Sequence, residues 1–129
     1  MITEDYVSFE LAELLRDKGF NVQTQASITV FAGISSGTTY VVNGEKITPK
    51  KDTIIPTLQT AMKWIREVHN LCIEPYRTAA GYLYTISRIW TGSCLHNPSE
   101  GGDDEDSGQW TTYEKTCEAA IKYCLENLI

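Results

Sequence analysis

The sequence predicts an α+β fold, a two-layer sandwich whose mainly antiparallel sheet of about four to five strands carries three helices, in the order α-β-β-(β)-α-β-β-α. Three observations lead there. The spacing of apolar residues switches repeatedly between the helical period of three to four and the strand period of two. Asn43-Gly44 separates two alternating runs, the strongest hairpin signal in the chain. Hydrophobic residues make up 42% of the 129 residues, enough for one core, so a single domain over 1–129 is expected.

The elements follow in order. Ser8 can cap a helix running to about Lys18, with Leu11, Leu14 and Leu15 on one face and Gly19 at the left-handed position that ends it. Phe20 can fold back on its last turn. From Val22 to Ala32 the period is two, which predicts a strand with one apolar and one polar side. Gly33 to Gly37 is a turn. Thr38 to Val42 and Glu45 to Thr48 form a hairpin about Asn43-Gly44, with Val42 opposite Glu45 and Tyr40 opposite Ile47. Thr53, Ile54 and Ile55 approach the next helix in extended form, since a residue before proline avoids the α region.

That helix, 56–69, reads as the element around which the chain is organised. Leu58, Ala61, Met62, Ile65 and Val68 share one side, Trp64 flanks them, and Gln59, Lys63, Arg66 and Glu67 face water. Pro56 suits its first turn. Asn70 is the expected stop. Leu71 to Thr78 reads as a strand whose Pro75 puts part of it at an edge. Ala79-Ala80-Gly81 turns the chain into a second strand, Tyr82 to Trp90, and both faces of that strand mix apolar and polar groups. A long acidic, Gly/Ser-rich connection occupies about 91–110. A closing helix begins at Thr111 or Thr112, with Thr111 and Glu114 spaced as a capping box. Its stripe is Tyr113, Cys117, Ala120, Ile121, Cys124 and Leu128.

Composition narrows the function classes. The formal charge is −6, but Glu100, Asp103, Asp104, Glu105 and Asp106 sit in one loop and the rest is nearly neutral. No basic patch is visible, and Lys50-Lys51 is the one adjacent basic pair, so nucleic acid is disfavoured as a partner. The lysines that would start the second helix of a double-stranded-RNA-binding domain are missing from Pro56-Thr57-Leu58-Gln59. No apolar run approaches the ~20 residues of a membrane span. The opening Met1 to Tyr6, with two acids and no basic start, points away from a secretory signal, and neither end carries a lipidation motif.

Catalytic and cofactor patterns are missing. The four cysteines make no CxxC and match no zinc spacing, and on one helix the Cα atoms of Cys117 and Cys124 would stand ~10.5 Å apart, beyond the ~7 Å a disulfide spans. They read as free thiols in a reducing compartment. Cys94-Leu95-His96 is the closest Cys/His pair, with His69 a more distant partner, but neither carries the signature of a thiol enzyme. The run Asp103 to Asp106 lacks the alternation of a calcium loop. No phosphate loop, G-x-S-x-G, HExxH or dinucleotide fingerprint occurs. The expectation is no cofactor, no metal and no enzyme.

The remaining candidate is an interaction surface on the second hairpin, where Tyr76, Arg77, Tyr82, Tyr84, Arg88 and Trp90 interleave rings with guanidinium groups. The partner expected there is an unidentified protein or, through an exposed edge strand, a second copy. The alternative is a nucleic-acid-related factor: a binder using that hairpin with Lys46, Lys50, Lys51, Lys63 and Arg66, or an acidic mimic of nucleic acid.

The helices at 56–69 and 112–129, with the opening Tyr6 to Ala12, resemble small proteins of phages, prophages and related mobile elements of gut anaerobic bacteria. These segments cover about a third of the chain. That family carries no assigned activity, catalytic residue or ligand. The resemblance implies a cytoplasmic accessory protein.

Overall fold

A computed structural model of the chain describes residues 5–22, 28–29, 40–42, 45–47, 54–98, 102 and 109–129. The α+β class is observed. In chain order the elements are α1 (Phe9–Asp17), β1 (Ile28–Thr29), β2 (Tyr40–Val42), β3 (Glu45–Ile47), β4 (Ile54–Ile55), α2 (Leu58–His69), β5 (Leu71–Arg77), β6 (Tyr82–Arg88), β7 (Cys94–His96) and α3 (Tyr113–Tyr123). Among the described residues the strands form three ladders: β1 with β4, β2 with β3, and β5-β6-β7. The chain divides into two compact units, Met1–Ala61 and Met62–Ile129, with the boundary inside α2.

In the first unit, α1 is closed at both ends by its sequence. The Ser8 hydroxyl accepts from the Leu11 N–H at 3.2 Å. Gly19 takes φ +93°, a left-handed conformation that costs glycine nothing. Its N–H reaches the Arg16 carbonyl at 3.0 Å, and the Phe20 N–H reaches that of Leu15 at 2.9 Å. These two bonds make a Schellman motif, and Phe20 is buried as the fold-back requires. Val7, Leu11, Ala12 and Leu15 are buried with Ile55 of β4, which packs beside α1.

β1 pairs with β4 through Ile28↔Ile55 and Thr29↔Ile54. The sequence reads 53–55 as extended lead-in, whereas the structure makes two of those residues a strand. Asn21 and Val22 lie outside any strand, so the alternating run does not begin at Val22. Most of that run and the 33–37 turn lie outside the described residues. β2 and β3 show the register expected of the hairpin, Tyr40↔Ile47 and Val42↔Glu45. Asn43-Gly44 itself, and 49–52, are outside the described residues.

The entry to α2 differs from the expectation. Thr57 caps it, accepting from the Thr60 N–H at 3.3 Å through its hydroxyl and from the Ala61 N–H at 3.1 Å through its carbonyl. Pro56 therefore precedes the cap and does not occupy the first turn. There its carbonyl takes the Val7 N–H at 3.0 Å. Along α2, Leu58, Ala61, Met62, Trp64 and Ile65 are buried, while Val68, expected on the same stripe, is 56% exposed. Asn70 ends the helix at φ +58°.

In the second unit, β5 and β6 pair antiparallel from Leu71↔Arg88 to Arg77↔Tyr82. β7 continues the sheet with Ile86↔His96 and Ser87↔Cys94, a bulge lying between them. The sequence reads this third strand as part of the long loop. Among the described strands β5 lies at the edge of this sheet, as Pro75 predicts. The helix laid on this sheet, over β5 and β6, is α3, not the one at 56–69. Its cap is Thr112, whose hydroxyl accepts from the Lys115 N–H at 3.1 Å, so the Thr111–Glu114 box is not the one used. After Tyr123 the helix widens into a π turn over Cys124–Leu128, closed by the Ile129 N–H on the Cys124 carbonyl at 3.0 Å. Thr116, Cys117, Ala120, Ile121, Cys124 and Leu125 are buried. Tyr113 stays at the exposed margin, and Leu125 rather than Leu128 completes the stripe.

Candidate functional site

Cross-strand partners share a face, so the register sorts the expected surface residues. Arg77, Tyr82, Tyr84 and Arg88 lie on the face that α3 covers, with Leu71, Ile73 and Ile86. Tyr76 lies on the other face with Cys72, Glu74, Leu83, Thr85 and Ser87. Trp90 is past the end of β6. The six residues thus form no single platform.

Their environments differ accordingly. Tyr84 is 3% exposed and belongs to the core. Its ring meets Trp110 at 5.2 Å and His96 at 5.8 Å between centroids. Burial is the first cause that pushes its phenol up to about 12, with Cys124 and Tyr123 adding to it. Tyr82 is half-buried, edge-on to Tyr113 at 6.3 Å, and the Arg77 guanidinium carbon lies 5.5 Å from its ring centre. Tyr76 donates its hydroxyl to Asn97 Oδ1 at 3.2 Å across the open face. Arg77 and Arg88 are exposed at opposite ends of the β5–β6 ladder. Six residues of strand, about 20 Å, separate such positions, so they do not combine into one basic patch. Lys50 and Lys51 are outside the described residues.

The loop from β6 to β7 presents the most exposed large hydrophobic side chain among the described residues. Trp90 is 81% exposed. Its backbone setting is closed by hydrogen bonds: Arg88 N–H to Ser93 carbonyl at 2.9 Å, and Gly92 N–H to Arg88 carbonyl at 2.8 Å. Gly92 sits at φ +67°, and the Ser93 N–H meets the Thr91 hydroxyl at 3.3 Å. The Ile89 N–H bonds the Asn70 carbonyl at 3.0 Å, tying the turn to the end of α2. Ile89 and Val68 are also exposed at this end. Only Trp90 belonged to the expected set. The sequence reads Trp90 as the last residue of the strand, whereas the strand ends at Arg88; the signal available was its place next to Thr91-Gly92.

The thiol and histidine candidates separate. The bulge places Cys94 opposite Ser87 on the open face and His96 opposite Ile86 on the covered one. His96 stacks flat on Tyr123 at 3.7 Å and 2°, which aims it away from Cys94. His69 meets Trp64 edge-on at 4.8 Å. Its Nε2 is buried with no hydrogen-bond partner among the described residues. Burial pushes Cys117 up to about 11 and Cys124 up to about 12. Cys72 is raised by burial first, then by its hydrogen bond to Glu74 at 3.4 Å and that carboxylate's charge. These shifts all favour the protonated thiol, the opposite of an activated nucleophile.

The long connection is anchored where it is described. Trp110 exchanges both backbone bonds with Tyr82, at 2.8 and 3.0 Å, and its ring is buried against Tyr84. A Cβ on Gly81 would come within 2.6 Å of the Trp110 carbonyl oxygen. The Thr78 hydroxyl donates to the Gln109 side chain, and Gly102 abuts the Gln109 backbone. Glu100 and Asp103 to Asp106 lie outside the described residues. Among the described residues no group of three His, Cys, Asp or Glu could hold a metal ion, and no helix is long and apolar enough to cross a membrane.

No family model, curated protein or solved structure matches the chain.

Proposed function

We propose that this protein is a non-enzymatic, cytoplasmic accessory module of phage or mobile-element type that works by binding another protein. The observation that carries the reading is Trp90, 81% exposed on a turn closed by backbone hydrogen bonds. A tryptophan held out in water forgoes the burial that normally stabilises it. Because its backbone is already fixed, docking on it costs little ordering entropy. Tryptophan is also the side chain that most often anchors a protein interface. Arg88 beside it and Ile89 next to it supply the mixed margin such anchors have. The resemblance of the helical segments to mobile-element proteins supports the accessory role.

The test is affinity capture from nuclease-treated bacterial lysate with the wild-type chain and with Trp90→Ser, followed by size exclusion with light scattering at two salt concentrations. The expected result is a discrete protein complex that survives nuclease and is lost in Trp90→Ser. A chain that carries nucleic acid until nuclease and high salt strip it would replace this reading with the nucleic-acid-related one. A complex that Trp90→Ser leaves intact would move the interface off the turn.

A further inference from the structure

The β5 edge carries a second statement about partners, and it rests on the ladder alone, independent of the Trp90 reading. In an antiparallel pair, residues alternate between positions that exchange both backbone bonds with the neighbour and positions whose N–H and C=O point away. Five bonds fix which is which here. Ile89 N–H meets Asn70 carbonyl at 3.0 Å, and Thr78 N–H meets Gly81 carbonyl at 2.8 Å, one pair at each end of β5–β6. On the far side of β6, Tyr82 exchanges bonds with Trp110, and the Arg88 N–H meets the Ser93 carbonyl. With the unbroken register from Leu71↔Arg88 to Arg77↔Tyr82, the inward positions of β5 are Cys72, Glu74 and Tyr76. The outward positions are Leu71, Ile73, Pro75 and Arg77.

Pro75 thus falls in an outward slot, paired with Tyr84 where β5 and β6 exchange no bond. Its missing N–H costs the sheet nothing. The cost falls on any strand that tries to add to the edge. That strand would lose a donor in the middle of the run, and the pyrrolidine ring would occupy the space its carbonyl needs. Along this stretch the side chains of Glu74, Tyr76 and Arg77 are exposed.

We infer that Pro75 closes the β5 edge to strand addition, whether by a second copy of this chain or by an extended segment of another protein. The edge-strand homodimer that the sequence suggests is blocked at this strand.

Amide hydrogen exchange on the full wild-type chain tests this without any variant having to fold. The Ile73 and Arg77 amides should exchange ~100-fold faster than those of Cys72, Glu74 and Tyr76, the alternation of a strand bonded on one side. Equal protection at all five would mean the edge is occupied and would overturn the inference. Sedimentation of Pro75→Thr supplies the second arm. The expected result is a mass that grows with concentration and returns to the wild-type value in Pro75→Thr/Arg77→Pro, which restores a proline to another outward slot. A folded Pro75→Thr that sediments as the wild type does at every concentration would equally overturn it.

Discussion

The two faces of the β5-β6-β7 sheet come from the same strands and each mixes apolar with polar residues, yet they are different environments. Beneath α3, Tyr84 and Ile86 are buried, Trp110 and His96 close around Tyr84, and the Cys117 and Cys124 thiols are pushed up to about 11 and 12. On the other face, Leu83, Thr85 and Ser87 are only half-buried, while Glu74, Tyr76 and Cys94 are exposed. The difference teaches that alternation divides a strand into two sets but does not say which set is the core. That choice belongs to the helix that lands on one of them.

The sharpest way to break this contrast is to truncate one apolar residue on each face. Ile86→Ala, under α3, should cost about 3 kcal/mol in urea denaturation, the transfer term plus a cavity. Leu83→Ala should cost under about 1 kcal/mol. Equal costs would show that the second face is covered too.

The buried thiols give a pH test of the same contrast. A group whose folded pKa lies above its unfolded value keeps its proton in the folded state after the unfolded chain has lost it. Ionisation then favours the unfolded chain, so stability is full below the unfolded value near 9 and falls as pH rises toward about 11 for Cys117 and about 12 for Cys124. Between pH 8 and 11 the loss from Cys124 should be on the order of 2 kcal/mol, and Cys124→Ala should flatten the slope. Alkylation should follow the same order. Cys94, exposed, should react first, Cys72 later because burial and Glu74 hold its proton, and the two core thiols only on unfolding.

A smaller effect sharpens how the covered face is sealed. Gly81→Ala should cost about 1 to 2 kcal/mol, because its Cβ would press on the Trp110 carbonyl and lift the buried indole. Thermal melts should show the loss, and Trp110 fluorescence in the folded state should shift to longer wavelength. The smallest expected change is at Trp90. Trp90→Ser should alter stability by less than about 0.5 kcal/mol, since an exposed ring contributes little packing. A large loss there would place Trp90 in the fold rather than at a docking surface.

Much of the local structure was legible. Ser8 and Gly19 bracket α1, Asn70 stops α2, the register of β2 on β3 is the one expected from the sequence Asn43-Gly44, and Pro75 marks an edge among the described strands. Each of these depends on a residue and its immediate neighbours. Less legible were β4 and β7, strands of two and three residues, too short for a period to register. The cap of α3 fell on Thr112 rather than Thr111 because both can cap and one-residue shifts are decided by packing. The expected interaction surface was read as one run of aromatics and arginines, and pleating distributed it among the core, two sheet faces and a turn.

By itself, then, the sequence determined the α+β class, the helix ends, the hairpin register and the edge position of β5. These follow from φ/ψ preferences and hydrogen-bonding groups acting over a few residues. The tertiary structure decided that α3 is the helix covering the sheet, that Tyr84 is core and Trp90 is not, and that Pro75 occupies an outward slot. Those outcomes depend on which distant segments meet, and neither periodicity nor propensity within one segment carries that information.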